Sequence, residues 1–235
     1  LVFDPRTLTF TPKKGPVFAH LLLADEINRA PSKVQSALLE AMEERQVTLG
    51  EDSFPLPSPF LVLATQNPLE QEGTFPLPEA QMDRFLFKLK VDYPAHAEEV
   101  EVLRRADGHE EAVRPVLDEA AVLHAGHLAA QVRLDEAIRD YIVRLVGATR
   151  AGHGKAWKGK ELLRCGASPR AGLALQAASK ALALVSGRDH VLPDDVVTLA
   201  PDVLRHRLLL TYEAEADGVS TDEVIRTLLG AVPRP

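Results

Sequence analysis

In the N-terminal part of the chain, apolar positions gather in short runs that end in charged or polar residues. His20-Leu21-Leu22-Leu23-Ala24 stops abruptly at Asp25-Glu26. A continuous apolar run bounded this sharply predicts a parallel strand covered on both faces. Phe60-Leu61-Val62-Leu63-Ala64 is a second such run, ending in Thr65-Gln66-Asn67-Pro68, and Phe85-Leu86-Phe87-Lys88-Leu89 reads as a third strand. Between the first two, Val34, Leu38 and Met42 recur at four-residue spacing beside Ala37 and Ala41, which predicts a helix entered through Ser32 or just before it. Leu8 and Phe10 alternate among turn residues, so a hairpin is expected within residues 1–15. Val47/Leu49 and Phe54/Leu56 flank Gly50-Glu51-Asp52-Ser53 and predict another hairpin. A proline- and glycine-rich loop then leads to Pro78, and a short helical stretch reaches Asp83-Arg84.

Strand, helix, strand, short helix, strand is the alternation that builds a parallel sheet. Beyond Tyr93-Pro94 the period changes. Val100/Leu103, Val122/Leu123, Ile138/Ile142/Leu145 and Leu173/Ala177/Ala181 carry helical spacing without a clear strand among them. The expected organisation is an α/β unit over residues 1–94 followed by an all-helical unit over 95–235.

Composition narrows the class. At 235 residues with 46% hydrophobic positions the chain can bury a core of useful size, and it lacks the composition of a disordered segment. One cysteine, Cys165, excludes an internal disulfide framework and a multi-thiolate zinc site. No apolar run is long enough to span a bilayer and no signal-peptide pattern occurs, so a cytoplasmic protein is expected. A net charge of −7 argues against a general nucleic-acid-coating role.

Candidate chemistry collects at the strand ends. Asp25 and Glu26 sit at the carboxyl end of a buried parallel strand, where open α/β sheets bind their ligands. Two adjacent carboxylates fit a magnesium ion held through water by the first and a water polarised by the second; a solvated acidic pair is the plain alternative. Asn67 ends the neighbouring strand and offers both a donor and an acceptor, though a turn residue before Pro68 would look the same. Arg84 can fork onto phosphate oxygens or pair with Asp83 or Glu79. In Ala167-Ser168-Pro169-Arg170, Ser168 is an N-cap and Pro169 opens a helix, which places Arg170 at the positive helix end. An anion must offset that placement: a bound phosphate, or a carboxylate from the core.

These segments together resemble the MoxR-type AAA+ ATPases. Leu22-Leu23-Ala24-Asp25-Glu26-Ile27-Asn28-Arg29-Ala30 with Gln35-Ser36-Ala37-Leu38-Leu39-Glu40-Ala41-Met42 is similar to their Walker B region, and Ala64-Thr65-Gln66-Asn67-Pro68 to sensor 1. Pro78-Glu79-Ala80-Gln81-Met82-Asp83-Arg84-Phe85 resembles the arginine-finger segment, and Gly166-Ala167-Ser168-Pro169-Arg170-Ala171 resembles sensor 2. The resemblance implies an α/β P-loop NTPase (AAA+) core with a parallel sheet, followed by an all-α lid. It implies ATP as substrate, with Asp25 aiding Mg2+, Glu26 activating the attacking water and Asn67 positioning it. It further implies that Arg84 reaches into a neighbour's site and that Arg170 senses nucleotide from the lid, in cis or in trans. A ring, expected to be a hexamer, would remodel or mature a client protein, with a von Willebrand factor A domain protein as a partner of the kind the family uses.

One departure is large. No G-x-x-x-x-G-K-[ST] occurs, so the phosphate cradle is absent from this sequence, and Leu1 lies inside an apolar segment. The expectation is a core incomplete at its N-terminus, with ATPase activity belonging to the intact protein and not to this stretch alone. Two rivals stand beside it: a non-hydrolysing interaction module on the same scaffold, and a magnesium-chelatase-like motor subunit. Other signals read as structural. Gly152-His153-Gly154-Lys155 lacks a preceding strand, His109-Glu110-Glu111 lacks the second zinc-protease histidine, and His124 and His127 have no third ligand beside them. Lys155, Lys158 and Lys160 around Trp157 read as a surface loop, and Ser220-Thr221-Asp222-Glu223 as a capping box.

Overall fold

The computed structural model describes residues 2–4, 9–11, 14–50, 52–67, 73–106, 108, 113–150 and 161–235. The first hairpin joins β1 (Val2–Asp4) to β2 (Thr9–Thr11) in antiparallel register. Strand β3 (Leu21–Ala24) runs into a 3-10 turn at Ile27–Arg29 and then helix α1 (Ser32–Glu44). Next come the hairpin of β4 (Gln46–Leu49) and β5 (Asp52–Pro55), strand β6 (Leu61–Ala64) and the one-turn helix α2 (Glu79–Met82).

Strands β3 and β6 pair in parallel, Leu21 opposite Leu61 through Ala24 opposite Ala64. Alternation sends Leu22, Ala24, Val62 and Ala64 to the α1 side. There they meet two small cores, one around Ile27, Leu39 and Leu77 and one around Ala41, Leu56 and Phe60. The other face does not follow the expectation of a strand covered on both sides: Leu21, Leu23, Leu61 and Leu63 are 50–62% exposed. The helical unit packs elsewhere, and among the described residues no element covers these leucines.

The third predicted strand is also absent. Phe85–Leu89 is extended, but its backbone is held by the helical unit: the Lys88 N–H donates to the Asp202 carbonyl at 2.9 Å, and the carbonyls of Phe85, Leu86 and Lys88 accept from side chains of residues 205–207. An apolar run codes for extended backbone, but a strand also requires an unpaired edge within reach. The described sheet, β3 with β6, does not extend to this segment.

The C-terminal part comprises α3 (His96–Ala106), α4 (Glu119–Gln131), α5 (Glu136–Gly147), α6 (Pro169–Val185), α7 (Pro193–Leu204), α8 (Tyr212–Ala216) and α9 (Thr221–Ala231). A short antiparallel ribbon, β7 (Leu163–Cys165) with β8 (Leu209–Leu210), supplements the helices. The main core lies here, built on Tyr141, Leu145, Leu175, Val196, Leu204, Ile225 and Leu228. Helix starts are set locally. Ser220 and Glu223 form the expected capping box of α9, and Ser168 caps α6 with Pro169 in its first turn.

Candidate functional site

Asp25 and Glu26 leave β3 just beyond its last paired residue, and Thr65 fixes both. The Thr65 hydroxyl donates to Asp25 Oδ1 at 2.5 Å, while its oxygen accepts the Glu26 N–H at 2.9 Å. Backbone bonds continue the seam: the Thr65 N–H donates to the Ala24 carbonyl at 3.1 Å, and the Ile27 N–H to the Thr65 carbonyl at 3.0 Å. Glu26 takes a left-handed backbone, φ 50° and ψ 48°, which is uncommon for a side chain of this size. The Thr65 contact holds that turn, and the Glu26 carboxylate lies 3.3 Å from Arg29 Nε. Asn67, half-buried, follows Thr65 by two residues and so lies at the same end of the parallel pair.

The predicted arginines gather at the other end of α1. Arg84 Nη2 lies 3.0 Å from Glu43 Oε2, and Arg170 Nη2 lies 2.6 Å from Glu43 Oε1. One carboxylate in the last turn of α1 therefore holds both. The carboxylate beside Arg170 is that of Glu43, on the exposed surface of α1. Arg84 pairs with neither Asp83 nor Glu79: Asp83 is taken by Arg207 and Glu79 by Arg164, each at 2.8 Å. Ser32 and Glu43 are eleven residue steps apart, about 16.5 Å of helix at about 1.5 Å per residue. The five candidate residues thus form two groups, Asp25, Glu26 and Asn67 at one end of α1, Arg84 and Arg170 at the other.

The depression beside Arg84 is walled by Glu40, Glu43 and Glu44, with Ser36 and Gln81. So many carboxylates repel a phosphate chain, so this depression is unsuited to hold a nucleotide alongside its own arginines. At the strand ends, Asp25 is an exposed hard-oxygen donor, and no cluster of three His, Cys, Asp or Glu suited to a metal occurs among the described residues. Such a set fits magnesium, which keeps several waters and is commonly bound through one or two carboxylates plus substrate phosphates.

Sequence reasoning missed Thr65, Glu43 and Arg207. Thr65 stood inside a segment read for its asparagine. Glu43 is one of three glutamates on α1, and nothing in the spacing singles it out. Arg207 carried a usable signal: Arg205-His206-Arg207 interrupts the apolar stretch from Val203 to Leu210, a place where basic residues are buried only if partnered. Cys165 is an exposed free thiol, and His124 and His127 are exposed. His109, Gly152 to Lys155 and the lysines around Trp157 lie outside the described residues. Among the described residues no helix is long and apolar enough to cross a membrane.

Residues 1–87 match the model of the ATPase family associated with various cellular activities, and residues 159–228 match the AAA lid domain. Chaperone MoxR1 of Mycobacterium tuberculosis (strain ATCC 25618 / H37Rv) is 52% identical over 227 residues, covering 96% of this chain and 60% of its own length. The Bacillus subtilis (strain 168) protein YeaC is 42% identical, covering the whole of this chain and 71% of its own. A crystal structure of a candidate ATPase from Cytophaga hutchinsonii ATCC 33406 superposes with a TM-score of 0.91 at 45% identity, over 99% of this chain and 71% of that one. The chain therefore spans about 60–70% of the length of these relatives.

Proposed function

Since the chain belongs to the MoxR-type AAA+ ATPases, we propose that the full-length protein hydrolyses ATP at a site shared between neighbouring subunits of a ring. One subunit supplies Asp25, Glu26 and Asn67; the next supplies Arg84 and Arg170. In this reading residues 1–94 belong to the nucleotide-binding core and residues 95–235 to the lid. The observation that carries it is the separation of the five residues by the length of α1, with both arginines on Glu43 and both strand-end carboxylates beside Thr65. Functional groups that serve one phosphate yet lie at opposite ends of a rigid helix serve it from different subunits. Arg170 travels with Arg84, and that supports its action in trans.

The chemistry follows from the groups. Glu26 accepts a proton from the attacking water as general base, a role whose usual contribution is about 10²–10⁴-fold. The Asn67 amide orients that water through its donor and acceptor. The neighbour's guanidinium groups stabilise negative charge on the transferring phosphoryl oxygens, an arginine-finger contribution of about 10³–10⁵ in other nucleotide hydrolases. Asp25 would hold Mg2+ together with phosphate oxygens and water, and the bound ion would neutralise charge on the β- and γ-phosphates. Asp25 itself is held in place by the Thr65 hydroxyl. Remodelling of a client protein is the work that best fits this engine, in keeping with the chaperone name of the Mycobacterium relative.

The test is Glu26→Gln in the full-length protein. ATP binding, followed by a fluorescent analogue, is expected to persist while phosphate release falls by about 10²-fold or more. Unchanged turnover would remove Glu26 from the reaction.

A further inference from the structure

Asp83 and Ser168 stand just before Arg84 and Arg170 in sequence, and in the folded chain they touch. The Ser168 hydroxyl donates to Asp83 Oδ2 at 2.8 Å and accepts the Arg170 N–H at 3.1 Å, so carboxylate, cap and first turn of α6 form one line. The other oxygen of Asp83 accepts from Arg207 Nε at 2.8 Å. Arg207 has a side chain only 3% exposed, and all five of its N–H groups are engaged. Nη2 donates to the carbonyls of Asp83 and Phe85 at 3.0 and 2.6 Å; Nη1 donates to those of Leu86, at 3.2 Å, and Val203. The guanidinium thus grips the backbone on both sides of Arg84 and ties it to the end of α7.

From this geometry we propose that Asp83, Ser168 and Arg207 form a clamp that aims Arg84 and Arg170 as one unit. The three are positioning residues: none needs to touch nucleotide. A buried guanidinium with every donor satisfied has one low-energy arrangement, and losing a partner is costly. Segment 83–86 and the first turn of α6 are therefore locked to each other, and a lid movement that carries Arg170 carries Arg84 with it. Glu43 reports the result, because one carboxylate can receive both arginines only when they are held side by side. The direction of aim, toward a neighbour's site, rests on the shared-site reading above.

Two measurements on the full-length protein separate the clamp from that reading. The first is amide hydrogen exchange in Asp83→Asn, which keeps the side-chain shape but removes the charge, and in Ser168→Ala, which leaves the Arg207 contact intact. Both variants are expected to raise exchange jointly in residues 83–90 and in the first turn of α6. Exchange that rises on one side alone, or on neither, overturns the clamp whatever the protein hydrolyses.

The second is turnover in mixed assemblies. Asp83→Asn alone is expected to lower kcat for ATP about 10- to 100-fold with little change in KM, a loss smaller than that of a missing finger. Mixed with Glu26→Gln subunits it should recover activity, as Arg84→Ala does; mixed with Arg84→Ala it should not. Recovery with Arg84→Ala would place Asp83 in the other half of the site and overturn the aiming role, as would a wild-type kcat. Failure of Glu26→Gln and Arg84→Ala to rescue each other would overturn the shared site and the trans aim with it, leaving the exchange result to judge the clamp.

Discussion

The hydroxyl of Thr65 bridges the ends of two parallel strands, donating to Asp25 at 2.5 Å and accepting the Glu26 N–H at 2.9 Å. It is the contact that makes Asp25 and Glu26 a geometric unit and not just adjacent acids. Thr65→Val preserves the branched shape and deletes both bonds. Net worth of such bonds is about 1 kcal/mol each, rising where a charged partner is involved. The expected result is a kcat for ATP reduced about 10-fold with the fold intact by circular dichroism. Wild-type turnover would show that the bridge is dispensable.

Glu43 competes with any external anion for Arg84 and Arg170. Its two ion pairs are partly exposed and together worth about 1 kcal/mol. Glu43→Gln should therefore free the arginines for a neighbour's phosphates, strengthening ATP-dependent self-association about fivefold. Sedimentation velocity across a concentration series checks this; weaker association in the variant would mean that Glu43 orders the arginines more than it occupies them.

Gly166 leaves no room for a side chain. A Cβ there would stand 2.3 Å from the Thr149 carbonyl oxygen and 2.8 Å from its hydroxyl oxygen. That hydroxyl also accepts the Ala167 N–H at 2.9 Å, so the clash falls on the turn that delivers Ser168 and Arg170. Gly166→Ala is expected to cost about 3 kcal/mol, seen as a lower denaturation midpoint. A midpoint within error of wild type would contradict the geometry.

His206 gives the fold a pH dependence. Burial first, then the neighbouring Arg207 charge, push its pKa down to about 4, against the raising effect of its bond to the Phe85 carbonyl; Lys88 lowers it further and Asp83 opposes. Its Nε2 lies 3.0 Å from that carbonyl, and its buried Nδ1 has no partner, as suits a neutral ring. Above pH 6.5 both folded and unfolded forms are neutral. Between 6.5 and about 4 the unfolded chain binds the proton and the folded one does not, so stability falls as the pH falls through that window. The full loss is at most about 3 kcal/mol. Thermal midpoints of the wild type should drop more steeply from pH 7 to 4.5 than those of His206→Gln; equal slopes would place the titration elsewhere.

Local pattern carried much of the fold. The β3 and β6 runs, the four-residue spacing of α1, both hairpins and the caps at Ser168 and Ser220 are encoded within a few residues, and each forms where the pattern put it. What the pattern could not supply was partnership. Phe85–Leu89 has strand composition, yet the groups that satisfy its backbone are Arg205, His206 and Arg207, more than a hundred residues away. The candidate site was legible as a set of residues and not as an arrangement: Asp25, Glu26, Asn67, Arg84 and Arg170 stand out in the sequence as candidates, while their division into two groups depends on the length of α1. Glu43 was hidden because a glutamate on a helix surface reads as solvation until two arginines converge on it.

Helix α1 also fixes an angle. Each residue advances an α-helix by about 100°, so the eleven steps from Ser32 to Glu43 make about three whole turns and bring Glu43 back to nearly the azimuth at which the helix begins. Deleting one residue from the exposed face of α1 would shorten the distance by only about 1.5 Å but swing Glu43 by more than a quarter of a turn. The two groups of candidate residues are therefore related by rotational phase as well as by distance, and length-changing mutations in this helix should be far less tolerable than substitutions of its exposed side chains.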